Sequence, residues 1–182
     1  MPMEYSLPLA RRVQRGDAGA FALLFEQFNL RICRYLCSLV NNPDLAEDLA
    51  QQTFIKAYEA LERGSQPENL NAWLYAIATN TALSALRRRR LIAWLPFRAH
   101  AESAAAPGPE ARTSEAELLG QALSRLPRGD AACLLLRFQH DLSYDELAQV
   151  LGTSSPAARM RVSRARAALR EIYLQLQEEA SR

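Results

Sequence analysis

The chain has 182 residues, 49% of them hydrophobic, with 22 basic and 20 acidic side chains for a net charge of +2. That length allows one domain or two small ones with modest cores, and the near-neutral balance excludes a uniformly polycationic surface. Three cysteines, Cys33, Cys37 and Cys133, are too few for a disulfide framework, suit a reducing cytoplasm and are expected as buried structural thiols.

No run of about 18 apolar residues predicts a membrane span, and the opening stretch MPMEYSLPLARRVQRGD lacks the apolar core of a signal peptide. His100 and His140 stand apart from any ligand cluster, so neither a metal nor a cofactor is expected. Charge is arranged locally. Residues 1–95 carry 11 basic and 9 acidic side chains, residues 113–182 carry 9 and 9, and the stretch between carries 2 and 2. Two arginine clusters, 87–90 and 159–170, sit inside those balanced halves and set the local field.

In chain order the pattern is helical throughout. Asp17, after Gly16, is a good N-cap. Phe21, Leu24, Phe25, Phe28, Ile32, Tyr35, Leu36 and Leu39 then recur at spacings of three and four, one broad apolar face of a long helix. Asn42-Pro43 starts the next helix, with Pro at its first position. Its buried face is expected to be Ala46, Leu49, Thr53, Ala57 and Leu61. Its opposite face carries Asp44, Glu47, Asp48, Gln51 and Ile55, which suits either a basic partner or plain solvent. GSQPENLN breaks it, and a third helix is expected from about 72 to 90. Trp73, Asn80, Ser84 and Arg87 fall on one stripe of that helix. They suit stacking and hydrogen bonding to an opened strand; core packing of Trp73 and a C-terminal charge cluster explain them equally well.

Residues 98–113 are small, polar and rich in Pro and Gly, which predicts a linker. Beyond it, Ser114-x-x-Glu117 and Ser143-x-x-Glu146 fit the capping box, and Pro127 separates two helices. A short helix over 144–151 ends at Gly152. Ser155-Pro156 caps and starts the last helix, with Ala158, Val162, Ala165, Leu169 and Ile172 on one stripe. Two helices joined by a short Gly-containing turn predict a helix-turn-helix. Arg159, Met160, Ser163, Arg164 and Arg166 point away from the stripe, and Arg161 sits at its edge. No acid occurs from 147 to 170. Such a face suits the DNA major groove, where Arg bonds guanine or phosphate; a solvated face is the alternative.

Five blocks carry a family resemblance: RRVQRGDAGAFALLFEQFNLRICRYL, NPDLAEDLAQQTFIKAYEAL, NAWLYAIATNTALSALRRRR, LPRGDAACLLLRFQHDLSYDELAQVLG and RMRVSRARAALR. In that order they resemble the bacterial extracytoplasmic-function (ECF) sigma factors, the two-domain branch of the primary-sigma family. The resemblance implies an all-α protein of two small helical domains joined by a flexible linker, the second with a helix-turn-helix. The boundaries it implies are 1–95 for a region-2-like domain, 96–113 for the linker and 114–182 for a region-4-like domain.

By that resemblance Asp44, Glu47, Asp48, Gln51, Gln52 and Ile55 match the segment that docks on the β′ clamp helices of core RNA polymerase. Trp73, Asn80, Ser84, Arg87 and Arg88 match the part that opens the downstream promoter element. The loop 63–70 matches a flipped-base pocket. Ser155, Arg159, Met160, Arg161, Ser163, Arg164 and Arg166 match the reader of the upstream, minus-thirty-five, element. An apolar surface of the second domain would meet the β flap. A cognate anti-sigma factor is implied as a partner.

The recognition helix departs from the family pattern in carrying Ala157 and Met160 where hydroxyls that touch phosphate are common. The expectation is a cytoplasmic, non-enzymatic promoter-specificity subunit with no small-molecule substrate and no membrane insertion. Its rivals are an autonomous helix-turn-helix regulator and a helical enzyme, for which no catalytic constellation is found.

Overall fold

The computed structural model describes residues 6–93 and 114–180. Every regular element among them is helical: α1 Ser6–Gln14, α2 Ala18–Val40, α3 Pro43–Glu62, α4 Leu70–Ala93, α5 Ser114–Arg125, α6 Arg128–Leu134 with a π-helical turn Leu135–Gln139, α7 Tyr144–Leu151 and α8 Ser155–Ala180. The expected linker falls on residues outside the described set, as does most of the apolar run 91–97.

Side-chain caps fix the helix starts. Asp17 accepts the Ala20 N–H at 3.1 Å and begins α2. Asn42 does the same for Leu45 at 2.8 Å, ahead of Pro43 at the first position of α3. Both match the sequence expectation. The third helix is longer than its apolar period indicated. Asn69 accepts the Ala72 N–H at 3.0 Å, which moves the start of α4 back to Leu70. Its last turn takes in 91–93.

The capping box at Ser143 forms in full, with the Glu146 carboxylate accepting the Ser143 N–H at 2.8 Å and the Ser143 hydroxyl accepting the Glu146 N–H at 3.2 Å. Gly152, in the left-handed region at φ 61°, ends α7. The cap of α8 lies one residue earlier than expected: Ser154 accepts the Ala157 N–H at 3.4 Å, and Ser155 is the first helical residue. Ser114 likewise stands inside α5 rather than before it.

Helices α1–α4 form one unit around Leu24, Ile32, Tyr35, Leu36, Leu49, Leu61 and Leu74, all fully buried. A Leu or Ile so buried contributes about 1.5–3 kcal/mol of hydrophobic stabilisation. Helices α5–α8 form a second unit around Leu136, Leu142 and Leu147, with Ala158, Val162 and Ala165 supplying the inner stripe of α8 as expected.

The two units pack directly on one another, an arrangement the sequence leaves open. The Tyr75 hydroxyl and His140 Nδ1 share a hydrogen bond of 2.8 Å. The Tyr35 ring meets both edge-on, at 5.4 Å from Tyr75 and 5.6 Å from His140. Around this aromatic seam Arg128 donates to the Leu39 carbonyl at 3.2 Å, Gln139 to Ser38 at 3.3 Å and Asn69 to Glu146 at 3.0 Å.

Candidate partner and nucleic-acid interfaces

The apolar period of α3 decides what faces outward. Leu45, Ala46, Leu49, Ala50, Thr53, Phe54, Ala57 and Leu61 are buried. Asp44, Glu47, Asp48, Gln51, Gln52 and Ile55 therefore share the exposed face, and the structure brings all six together there. Ile55 is 57% exposed at one end of it. The three acids form no ion pair among the described residues.

Beside this face lies a shallow cavity of about 360 Å³ lined by Phe25, Cys33, Arg34, Cys37, Glu47 and Gln51. The cysteines there depart from expectation. Only Cys133 is buried, where burial pushes its thiol up to about 11; Cys33 is half-buried and Cys37 exposed. Cys37 lies off the buried stripe of α2. All three thiols are free.

On α4 the stripe divides. Trp73 is half-buried and packs against the core, as the packing alternative required. Asn80, Arg87 and Arg88 are exposed. Arg87 folds back along its own helix, donating to the Leu83 carbonyl at 3.3 Å and to the Ser84 hydroxyl at 3.4 Å. The loop before α4 is engaged from the second unit through Asn69 and Glu146. Burial pushes the Glu146 carboxyl up, but bonds from the Ser143 backbone, Asn69, the Ser143 hydroxyl and Asn71 outweigh it and hold the group below its ordinary value.

On α8, Arg159, Met160, Ser163, Arg164 and Arg166 stand exposed, and Ser155 is half-covered at the first turn. Met160 is 59% exposed, unusual for an apolar side chain without a partner. Arg161 does not join this face. Its Nε donates to the Asp130 carboxylate at 2.9 Å, tying α8 to α6. A Cβ at Gly129 would collide with its Nη2, so the glycine makes room for the guanidinium.

Arg159 lies over the Tyr144 ring, 4.8 Å from its centroid, and Arg137 lies 5.0 Å from the same centroid. Sequence reading missed both Tyr144 and Arg137, because contact across the turn cannot be read from periodicity. Between the end of α2, α5 and the π-helical turn runs a groove of about 1030 Å³, lined by Leu119, Leu123, Leu135, Phe138 and Leu169. Leu119 and Phe138 are exposed along it. Among the described residues no helix is long and apolar enough to cross a membrane, and no group of three or more His, Cys, Asp or Glu is placed to hold a metal.

Known proteins share this layout. The family model for sigma-70 region 2 matches residues 24–92, and that for sigma-70 region 4 matches 116–169. The RNA polymerase sigma-H factor of Pseudomonas aeruginosa is 32% identical over 99% of this chain and 100% of its own. The ECF RNA polymerase sigma-E factor of Haemophilus influenzae is 31% identical over 87% of this chain and 89% of its own. Among solved structures, the sigma factor RpoE in complex with the anti-sigma factor NepR, from Bartonella quintana, is 27% identical, covers 84% of this chain and 95% of that one, and superposes with a TM-score of 0.70.

Proposed function

The chain belongs to the sigma-70 family, as an RNA polymerase sigma factor of the extracytoplasmic-function type, and from that membership we propose how its surfaces divide the work of starting transcription. It binds core RNA polymerase, directs it to promoters and helps open the DNA. In this reading residues 1–95 dock on the β′ clamp helices through the acidic face of α3, with Ile55 as its apolar anchor. Asn80, Arg87 and Arg88, aided by Ser84 and the exposed edge of Trp73, hold the opened downstream element.

Residues 114–182 read the upstream element through Arg159, Ser163, Arg164 and Arg166, with Met160 and Ser155 at the same end of α8. Arg161 is a strut of this unit rather than a reader. The groove beside Leu119 and Phe138 takes the β flap. The protein performs no chemistry itself; the polymerase does. It works in the cytoplasm, and a cognate anti-sigma factor covers its polymerase-binding faces, as NepR partners RpoE.

One observation carries the reading: the second helix of a helix-turn-helix presents several arginines, and no acid occurs in the sequence from 147 to 170. That face attracts the phosphate backbone, while the acidic face of α3 is free for a protein partner. The purified chain mixed with bacterial core RNA polymerase should co-elute with it at one to one from a sizing column. Absence of a complex, with tight duplex binding by the chain alone, would instead mark an autonomous regulator.

A further inference from the structure

We infer that Tyr144 is the positioning residue for Arg159, fixing the guanidinium at the entrance of the recognition helix before DNA arrives. The inference rests on the reading of α8 as the upstream-element reader and names a residue outside that helix which sets its specificity.

The geometry is a chain of three side chains. Arg137, on the π-helical turn, donates from Nη1 to the Leu142 carbonyl at 3.2 Å, and its Nε is buried with no hydrogen-bond partner. Its guanidinium lies over the rings of Phe138 and Tyr144, at 5.9 and 5.0 Å from their centroids. Aromatic faces supply what the missing hydrogen bond does not, because the ring quadrupole attracts a cation. Tyr144 is the first residue of α7, directly after the Ser143 cap, so its backbone is held by the capping box. Its half-buried ring then receives Arg159 at 4.8 Å.

Arg159 has no ion-pair partner among the described residues, so the ring is what orders it. An exposed arginine otherwise samples many rotamers and loses that freedom on binding. A guanidinium already held in one place pays less of this cost, which improves discrimination between the right base and the wrong one. The neighbouring Arg164 and Arg166 have no such platform among the described residues.

The test uses holoenzyme assembled from bacterial core RNA polymerase and the full chain. It is offered a pool of duplex DNA randomised over the upstream element, and the bound fraction is sequenced. Arg159→Ala should flatten the preference at one or two base pairs. Tyr144→Ala should flatten the same base pairs by about two- to fivefold, the size of an exposed cation–π contact, and leave the others unchanged. Tyr144→Phe should retain the preference because the ring face persists. Tyr144→Leu keeps apolar volume without the quadrupole, should fold even where alanine does not, and should behave as Tyr144→Ala. In an Arg159→Ala background the Tyr144 changes should add nothing at those positions.

If Arg159→Ala flattens the preference while Tyr144→Ala and Tyr144→Leu leave it intact, or weaken all sequences alike, the positioning role is overturned and the reader assignment stands. If Arg159→Ala changes nothing, the reader assignment falls and the positioning role falls with it.

Discussion

Arg161 and Arg159 are two residues apart on one helix and do different work. Arg161 is spent on Asp130, at a site where both side chains are partly covered. Arg159 stays on the open face. Arg161→Ala should therefore lower stability by roughly 0.5–1 kcal/mol, the range for a partly exposed pair, yet disturb base discrimination less than Arg159→Ala does. Thermal unfolding and selection from a randomised duplex pool read the two effects separately. On α3, Asp48→Arg should leave the fold unchanged, because the side chain is exposed. It should weaken core-polymerase binding by at least about tenfold, since a like charge replaces a complementary one at an interface; titration of labelled core measures it. At this scale the sequence was most informative where a wheel separates faces, as on α3. It was least informative where a partner from another helix claims a side chain. Nothing in the spacing of Arg161 announces Asp130, and nothing around Tyr144 announces two guanidiniums.

The helices themselves were readable because their signals are local. A cap, a period and a stop lie within a few residues of each other, as at Asn42, Pro43 and the inner face of α3. The capping box at Ser143 is the clearest case. Ser143→Ala should cost about 1 kcal/mol, seen as a lower denaturant midpoint with an unchanged slope. Gly152 holds φ 61°, where a side chain is strained. Gly152→Ala should cost a further 1 kcal/mol or so and loosen the angle between α7 and α8. Less legible were the start of α4, where Asn69 caps a turn with no apolar period, and the π-helical turn at Leu135–Gln139, where one extra residue swings Arg137 toward Tyr144.

At the scale of the molecule, the aromatic seam joins residues that lie 65 positions apart. Tyr75 carries no signal of its own in the sequence and His140 stands apart from any ligand cluster, so nothing local announces their meeting. Burial, and then the charge of Arg31, hold His140 down at about 4, against a smaller opposing pull from Asp141. In the unfolded chain the same ring titrates near 6.5. The neutral ring is thus the folded form, and its contribution is complete above pH 6.5 and lost as pH falls toward 4. Protonation would leave a charged Nε2 buried with no partner among the described residues. Denaturant unfolding over this window should show wild type losing more stability than His140→Gln. Carboxylates titrate in both, so the difference isolates the histidine.

The seam also limits reach. A compact body of roughly this chain's length has a radius of gyration of about 16 Å. Two promoter elements tens of base pairs apart lie on the order of 70–100 Å from each other, at 3.4 Å per pair. On the proposed reading one molecule touches both only after its halves part, and a stretch of about 20 residues spans at most about 70 Å when fully extended. On the proposed division of labour, a protein folded this way is too short to reach both elements. If the parted form is the one that docks, its apparent affinity for the polymerase is the intrinsic affinity scaled by the open fraction. Tyr75→Phe, which removes the hydrogen bond to His140, should melt at a lower temperature and yet bind core polymerase more tightly than wild type: a weaker clasp makes a readier subunit.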